Sequence, residues 1–391
     1  MNKNIIIICI ILLFNQELYS KPILLNGKVK NIESGKIFLI SSWDSKIYKK
    51  KKQIIDSSLI VNGSFEFKIT LFDSIVYPYY FIIETDSFYN RTGLVFFEQK
   101  NQFVEIDTID PHIAPKVLNS LYQIELKGQY EILFKNIIDR SIQFNKNIDS
   151  LTDIEPMNAD IELNNKKLRE KIINDGDSLL FKYSNEHKNS FVSFWKLNER
   201  LENNSYKLIY ENIFNLLSNE IKSSKNGIIL LNEILKSKRS AINYQFPDLE
   251  LKTLNKKVYQ LSKYKINSSY TLINFWFSKC IPCITHIPEI NHINSLYPKS
   301  YFQIIGIAID SRDDFEYLKK IIKNKKINWK NYWDEDGIVT NDLGIKSFPS
   351  NILLDKSGFI VQKNIAFKDL THILNEQFKK TIFFFSNYEP D

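Results

Sequence analysis

The sequence predicts an α/β domain at the C-terminus, preceded by a small all-β sandwich and a helical middle region. Three observations carry this. The apolar run Tyr270-Thr271-Leu272-Ile273-Asn274-Phe275-Trp276-Phe277 leads almost directly into Cys280-Ile281-Pro282-Cys283, the pattern of a strand that delivers a dithiol to the first turn of a helix. Residues 22–110 fall into short runs of strand composition around an Asn62-Gly63 turn. Residues 117–240 place apolar side chains at three-to-four spacing. A chain of 391 residues is long enough for about two or three domains. Its 43% apolar content is ample for packed cores.

In chain order, Met1-Asn2-Lys3-Asn4 precedes the apolar run Ile5 to Phe14, then polar residues and a small residue at Ser20. Residues 1–20 read as a secretory signal peptide, too short to span a bilayer comfortably. Leu18 and Tyr19 are poor matches to a small-residue cleavage site, so an uncleaved anchor is the alternative. Cys9 lies inside the apolar run without a lipidation box and is read as discarded. No later stretch approaches the length of a membrane span.

Residues 21–110 form the expected sandwich, with strands over Lys36 to Ile40, Phe65 to Ile69, Tyr77 to Ile83 and within Gly93 to Ile106. This region carries no evident catalytic set, which leaves binding or positioning, or a passive spacer. Residues 111–240 are expected to be helical. Phe134, Ile137, Ile138 and Ile142 recur at helical spacing, as do Leu168, Ile172 and Leu179, then Ile213, Leu217 and Ile221. Asn226-Gly227 is expected to stop or break a helix before Ile228 to Lys236 resumes one. His187, Trp195 and Tyr210 read as packing residues. Ile382 to Phe385, near the end, either pack on a neighbouring face or form a contact patch.

The final domain, residues 241–391, carries the chemistry. Cys280 and Cys283 are the only cysteines outside the leader. Two intervening residues let both sulfurs meet within one helical turn, and the helix N-terminus stabilises a thiolate on the first. Cys280 is therefore expected as the exposed nucleophile and Cys283 as the shielded resolving thiol. Pro282 fits the first turn, where its missing amide hydrogen would have no partner anyway. Structural zinc needs about four ligands, and His286 and His292 lie on the same predicted helix as the cysteines, where they would reach a shared metal poorly. A purely structural bond across so short a loop gains little from closure.

Asn274 to Cys283 resembles the N-F-W-A-S-W-C-x-P-C signature of the TlpA/ResA-like thiol-disulfide oxidoreductases. Phe246 to Leu251 is similar to the family's P-D-F-x-L entry strand, followed by Val258 to Ser262 as a second short strand. Phe302 to Asp310 resembles the next central strand, and Ser347 to Gly358 the x-x-P-x-x-x-L-I-D-x-x-G block. The resemblance spans about residues 243–375. It implies a thioredoxin fold, a redox-active Cys280-Cys283 disulfide with no other cofactor, and a cis proline at Pro349. It also implies a substrate groove formed by Phe348 and Pro349 with Trp276, Lys279 and Pro282. An ordinary trans proline at a strand start is the alternative for Pro349. Residues 56–67 resemble the small sandwich of unknown function that precedes this domain in Bacteroidetes-type members.

Two departures bear on mechanism. Lys279 stands where the family often has Trp, adding a cation that favours thiolate on Cys280 while removing a flat contact surface. His286 stands where many relatives have Glu. It reads equally as a proton relay for Cys283 or as filler of the helix face. Asn274, at the position of thioredoxin's buried acid, cannot act as a base.

Three function classes follow. The first is an exported thiol-disulfide oxidoreductase acting on protein disulfides, by resemblance a reductase and a candidate for cytochrome c maturation. A reductant outside the cytoplasm needs an external electron donor, here a membrane one. The second is a binding protein that uses the fold as scaffold. The third is a thiol peroxidase, but Ile273 and Phe277 occupy the positions where a peroxiredoxin needs Pro and Thr or Ser. The net charge of +7 comes from scattered lysines with one dense run, Lys49 to Lys52, and no basic-aromatic module supports nucleic-acid binding.

Overall fold

The computed structural model describes residues 22–41, 54–70, 76–87, 89–108, 114–152, 159–261 and 268–386. The expected leader over residues 1–20, the Lys49 to Lys52 run and Ser262 lie outside the described residues, as do the side chains of Ile382 to Phe385. The described residues pack into two compact units, one within residues 1–200 and 212–229, the other within 201–211 and 230–391.

The first unit opens with β1 (Ile23–Val29), β2 (Ser34–Ser41), β3 (Ile54–Val61), β4 (Ser64–Ile69), β5 (Tyr77–Glu84), β6 (Tyr89–Arg91), β7 (Val95–Phe97), β8 (Gln102–Ile106) and β9 (Lys116–Leu118). In β4, Phe65, Phe67 and Ile69 are buried while Ser64, Glu66 and Lys68 face out, the period-two pattern of a one-sided strand. Asn62 and Gly63 both take positive φ, as a tight hairpin turn between β3 and β4 requires. The all-β expectation holds. Among the described residues the strands share one hydrogen-bonded path, β6-β5-β2-β3-β4-β1-β8-β9, with β7 on β5, so two separately bonded sheets are not seen.

The helices are α1 (Leu121–Glu125), running through one wide turn into α2 (Glu131–Thr152), then α3 (Ala159–Glu186), α4 (Phe191–Asn203), α5 (Leu208–Leu216), α6 (Asn219–Ser223) and α7 (Lys225–Arg239). Helix therefore begins after Val117 and Leu118, which belong to β9, a strand too short to show a period of its own. Phe134, Ile172, Ile213, Leu217 and Ile221 are buried as expected, but Leu168 and Ile142 are exposed and Leu180 replaces Leu179 in the core. Trp195 is buried, and its Nε1 donates to the Val76 carbonyl at 2.8 Å.

Asn226-Gly227 does not break a helix. The break falls at Ser224, whose extended backbone ends α6 and whose Oγ accepts from the Gly227 amide at 2.9 Å, capping α7. A Cβ on Gly227 would lie 2.0 Å from the Ile221 carbonyl oxygen and 2.7 Å from that of Lys222. The glycine is there for close backbone approach. An alanine in a free helix interior is worth about 1 kcal/mol over glycine; here the sign reverses, and Gly227→Ala is expected to destabilise by about 1–3 kcal/mol, read as a lower urea midpoint.

The second unit contains β10 (Glu250–Thr253), β11 (Val258–Gln260), β12 (Tyr270–Trp276), α8 (Ile281–Leu296), β13 (Phe302–Ala308), α9 (Phe315–Asn324), β14 (Lys330–Trp333), α10 (Ile338–Asp342), β15 (Ser350–Asp355), β16 (Ile360–Lys363) and α11 (Phe367–Ser386). The sheet runs β11-β10-β14-β13-β12-β15-β16. β12 lies between β13, parallel, and β15, antiparallel, which is the mixed sheet flanked by helices that the sequence predicts. The entry strand is shorter than expected and begins at Glu250. Phe246 instead donates its amide to the Gly358 carbonyl at 2.9 Å.

β12 is covered on both faces. Leu272 and Trp276 pack with Ile287 and Ile290 of α8, Leu318 of α9 and Leu370 of α11. Ile273 and Phe275 pack with Ile305, Ile307, Ile352 and Leu343 on the other face. The helix that follows β12 is thus fixed against a buried strand, and its N-terminus is held at the strand's C-terminal end.

Candidate active site

Cys280 is the N-cap of α8. Its backbone is extended, with φ −80° and ψ 102°, and its Sγ accepts from the Cys283 amide at 3.2 Å. An N-cap acceptor is the position at which the unpaired amides of the first turn favour negative charge. Cys280 and Cys283 are joined as a disulfide, so this is the oxidised form. Pro282 lies in the first turn and is exposed, and Ile281 between the sulfurs is 78% exposed.

The expected contrast between an exposed and a shielded cysteine is absent in this form. Cys280 is 4% exposed and Cys283 3%, because both pack into the cluster that contains Trp276 and Ile287. The exposed rim beside the disulfide is formed by Ile281 and Pro282.

The Phe348–Pro349 peptide bond is cis. The Phe348 ring meets Phe277 edge to face, with centroids 5.8 Å apart, and Phe277 lies three residues before Cys280. The loop before β15 and the lead-in to the dithiol therefore meet at one edge of the domain.

Trp276 does not line this edge. It is 1% exposed, and its Nε1 donates to Asn331 Oδ1 at 3.1 Å. Alternation along β12 puts it on the face that packs against α8, so it supports the dithiol helix. Lys279 is exposed and bonded to Asp314 Oδ1 at 2.5 Å, and this carboxylate pushes its pKa up. Its charge is shared with an acid rather than directed only at Cys280.

His286 lies on α8 one turn beyond Cys283. Its ring meets Phe367 edge to face at 5.4 Å, and its Nδ1 is buried without a hydrogen-bond partner. Asn274 is 3% exposed, in register with Asn351 on β15, and its Oδ1 is likewise unpartnered.

One constellation escaped the sequence reading. The Ser278 amide donates to Asp310 Oδ1 and Oδ2 at 3.0 and 3.2 Å, and the Ser278 hydroxyl donates to the same carboxylate. Burial pushes the Asp310 carboxyl up from the usual carboxylate range, against the lowering effect of the Ser278 bonds. The available signal was an acid just past the C-terminal end of a parallel strand beside the strand that carries the cysteines, where open sheets gather their functional groups.

Residues 242–363 match the model of the AhpC/TSA family. The chain is 25% identical over 145 residues to the thiol-disulfide oxidoreductase ResA of Bacillus thuringiensis subsp. konkukian, an alignment covering 37% of this chain and 81% of that protein. It is 23% identical over 97 residues to the sporulation thiol-disulfide oxidoreductase A of Bacillus subtilis, covering 25% and 59%. Among solved structures, a thiol-disulfide oxidoreductase from Bacteroides fragilis is 28% identical and covers 34% of this chain and 99% of its own, with a TM-score of 0.31. The C-terminal domain is thus thioredoxin-like, with ResA-like thiol-disulfide oxidoreductases as its relatives.

Proposed function

From a thioredoxin-like domain of the thiol-disulfide oxidoreductase kind, we propose that this chain reduces disulfides of extracytoplasmic proteins through Cys280 and Cys283. The observation that carries the reading is the cysteine pair at the N-terminus of α8, with Cys280 as its cap. In the reduced form the Cys280 thiolate attacks one sulfur of a substrate disulfide. A Cys280–substrate bond forms, the substrate S–S bond breaks, and one substrate thiolate leaves. Cys283, as thiolate, then attacks Cys280 Sγ, closing the intramolecular disulfide and releasing the second substrate thiolate. Two electrons have passed to the substrate, and a dithiol protein on the membrane side restores the enzyme. Phe348 and Pro349, with Lys279 and Pro282, border the docking edge in this reading. Cytochrome c maturation substrates are one class that such a reductase would serve, and the apolar leader supplies the export that the reading requires.

The purified mature chain is expected to precipitate insulin by reducing its disulfides with dithiothreitol as donor. An inert wild type, with both thiols unreactive to alkylation after reduction, overturns the proposal. A peroxide-consumption assay run beside it separates this activity from a peroxidase. His286 is the candidate proton relay for Cys283. His286→Ala is expected to move the pH profile of insulin reduction, and an unchanged profile reduces His286 to packing against Phe367.

A further inference from the structure

The two residues before Cys280 are both tied to the segment that follows β13. Ser278, fully buried, gives its amide and hydroxyl to Asp310, itself 4% exposed. Lys279 is bonded to Asp314, whose other oxygen accepts from Ser311 Oγ at 3.0 Å. The Trp276 carbonyl accepts from the Ile309 amide at 3.0 Å, and the Asp310 carbonyl from Trp333 Nε1 at 2.8 Å. Asp310 has no salt-bridge partner among the described residues. The nearby cation, Lys279, is committed to Asp314, while Asp334, just past the end of β14, has its carboxylate spent on the amides of Val339 and Thr340.

We propose that Asp310 is a positioning residue for the dithiol: it fixes the Ser278 lead-in and places a buried negative charge beside the N-terminus of α8. Resting on the thiol-disulfide reading above, the inference adds a direction to it. An anion at that end opposes the helix's stabilisation of the Cys280 thiolate. Destabilising the thiolate disfavours the reduced form, so the pair is held as a reductant rather than as an oxidant.

The test measures the Cys280 thiol pKa of the full chain from the pH dependence of iodoacetamide alkylation, together with the equilibrium of the pair against glutathione. Neither readout requires turnover on a protein substrate. Asp310→Asn keeps the shape and removes the charge. It is expected to lower the thiol pKa by about half to one unit and to shift the glutathione equilibrium several-fold toward the dithiol. Ser278→Ala keeps the charge and is expected to leave the pKa close to wild type. A folded Asp310→Asn chain with the wild-type pKa overturns the inference, as does a Ser278→Ala shift equal to that of Asp310→Asn, which would assign the effect to loop geometry. If Asp310→Asn fails to fold, carboxyl NMR of the reduced wild type decides: the Asp310 carboxyl resonance is expected to show a second step at the pH where alkylation reports Cys280 ionising, and a carboxyl resonance blind to that step overturns the inference. A wild type that is inert in the insulin assay but whose reduced thiols still alkylate counts against the parent reading alone and leaves these pKa measurements interpretable.

Discussion

Cys280→Ser is expected to abolish insulin reduction, with a loss on the order of a thousandfold or more, because a serine hydroxyl at neutral pH supplies no anionic nucleophile of comparable strength. Cys283→Ser differs in kind. The attack by Cys280 still occurs, but nothing resolves the product, so one substrate equivalent accumulates as a mixed disulfide visible by non-reducing electrophoresis and lost on adding dithiothreitol. Biological activity retained in a Cys280→Ser/Cys283→Ser chain would move the function to the scaffold reading. Accumulation in Cys280→Ser instead of Cys283→Ser would reverse the two roles. The proposed order rests on position along the helix: Cys280 is the N-cap and Cys283 is one turn inside α8.

The largest stability loss is expected at Trp276. Its side chain is 1% exposed and joins β12 to α8 and to Asn331. Trp276→Ala removes a buried aromatic worth about 3–5 kcal/mol and takes a hydrogen bond from a buried amide oxygen. For a domain of this size each kcal/mol lowers the melting temperature by about 2–4 °C, so a fall on the order of 10 °C is expected in a thermal melt. Trp276→Phe restores most of the apolar volume while still leaving Asn331 Oδ1 without the indole, and its melting temperature is expected between the two. A substrate-lining Trp276 would give the opposite pattern, with a raised KM and an unchanged melt.

The dithiol and the fold around it were legible because they are local. An apolar run, two cysteines two residues apart and a proline in the first turn sit within 14 consecutive residues, Tyr270 to Cys283, and strand followed by helix N-terminus is the arrangement that such a run encodes. The face on which each residue falls was not legible. Phe275, Trp276 and Phe277 are three aromatics in a row, and only the packing of α8 decides that Trp276 points inward while Phe277 meets Phe348. The Ser278–Asp310 tie was hidden for a different reason. Its partners are 32 positions apart, and neither residue type is unusual where it stands. Gly227 was misread because glycine has two uses, and the sequence does not say whether a neighbouring backbone passes 2.0 Å from where its Cβ would be.

The bond at the tip of α8 joins residues only three positions apart. Closing so small a ring removes little freedom from the unfolded chain, so breaking it during turnover releases little conformational entropy. The redox potential is then governed by local electrostatics around two sulfurs, not by chain topology. Evolution could retune such a catalyst toward donor or acceptor duty by exchanging a few nearby charges while the scaffold stayed as it is.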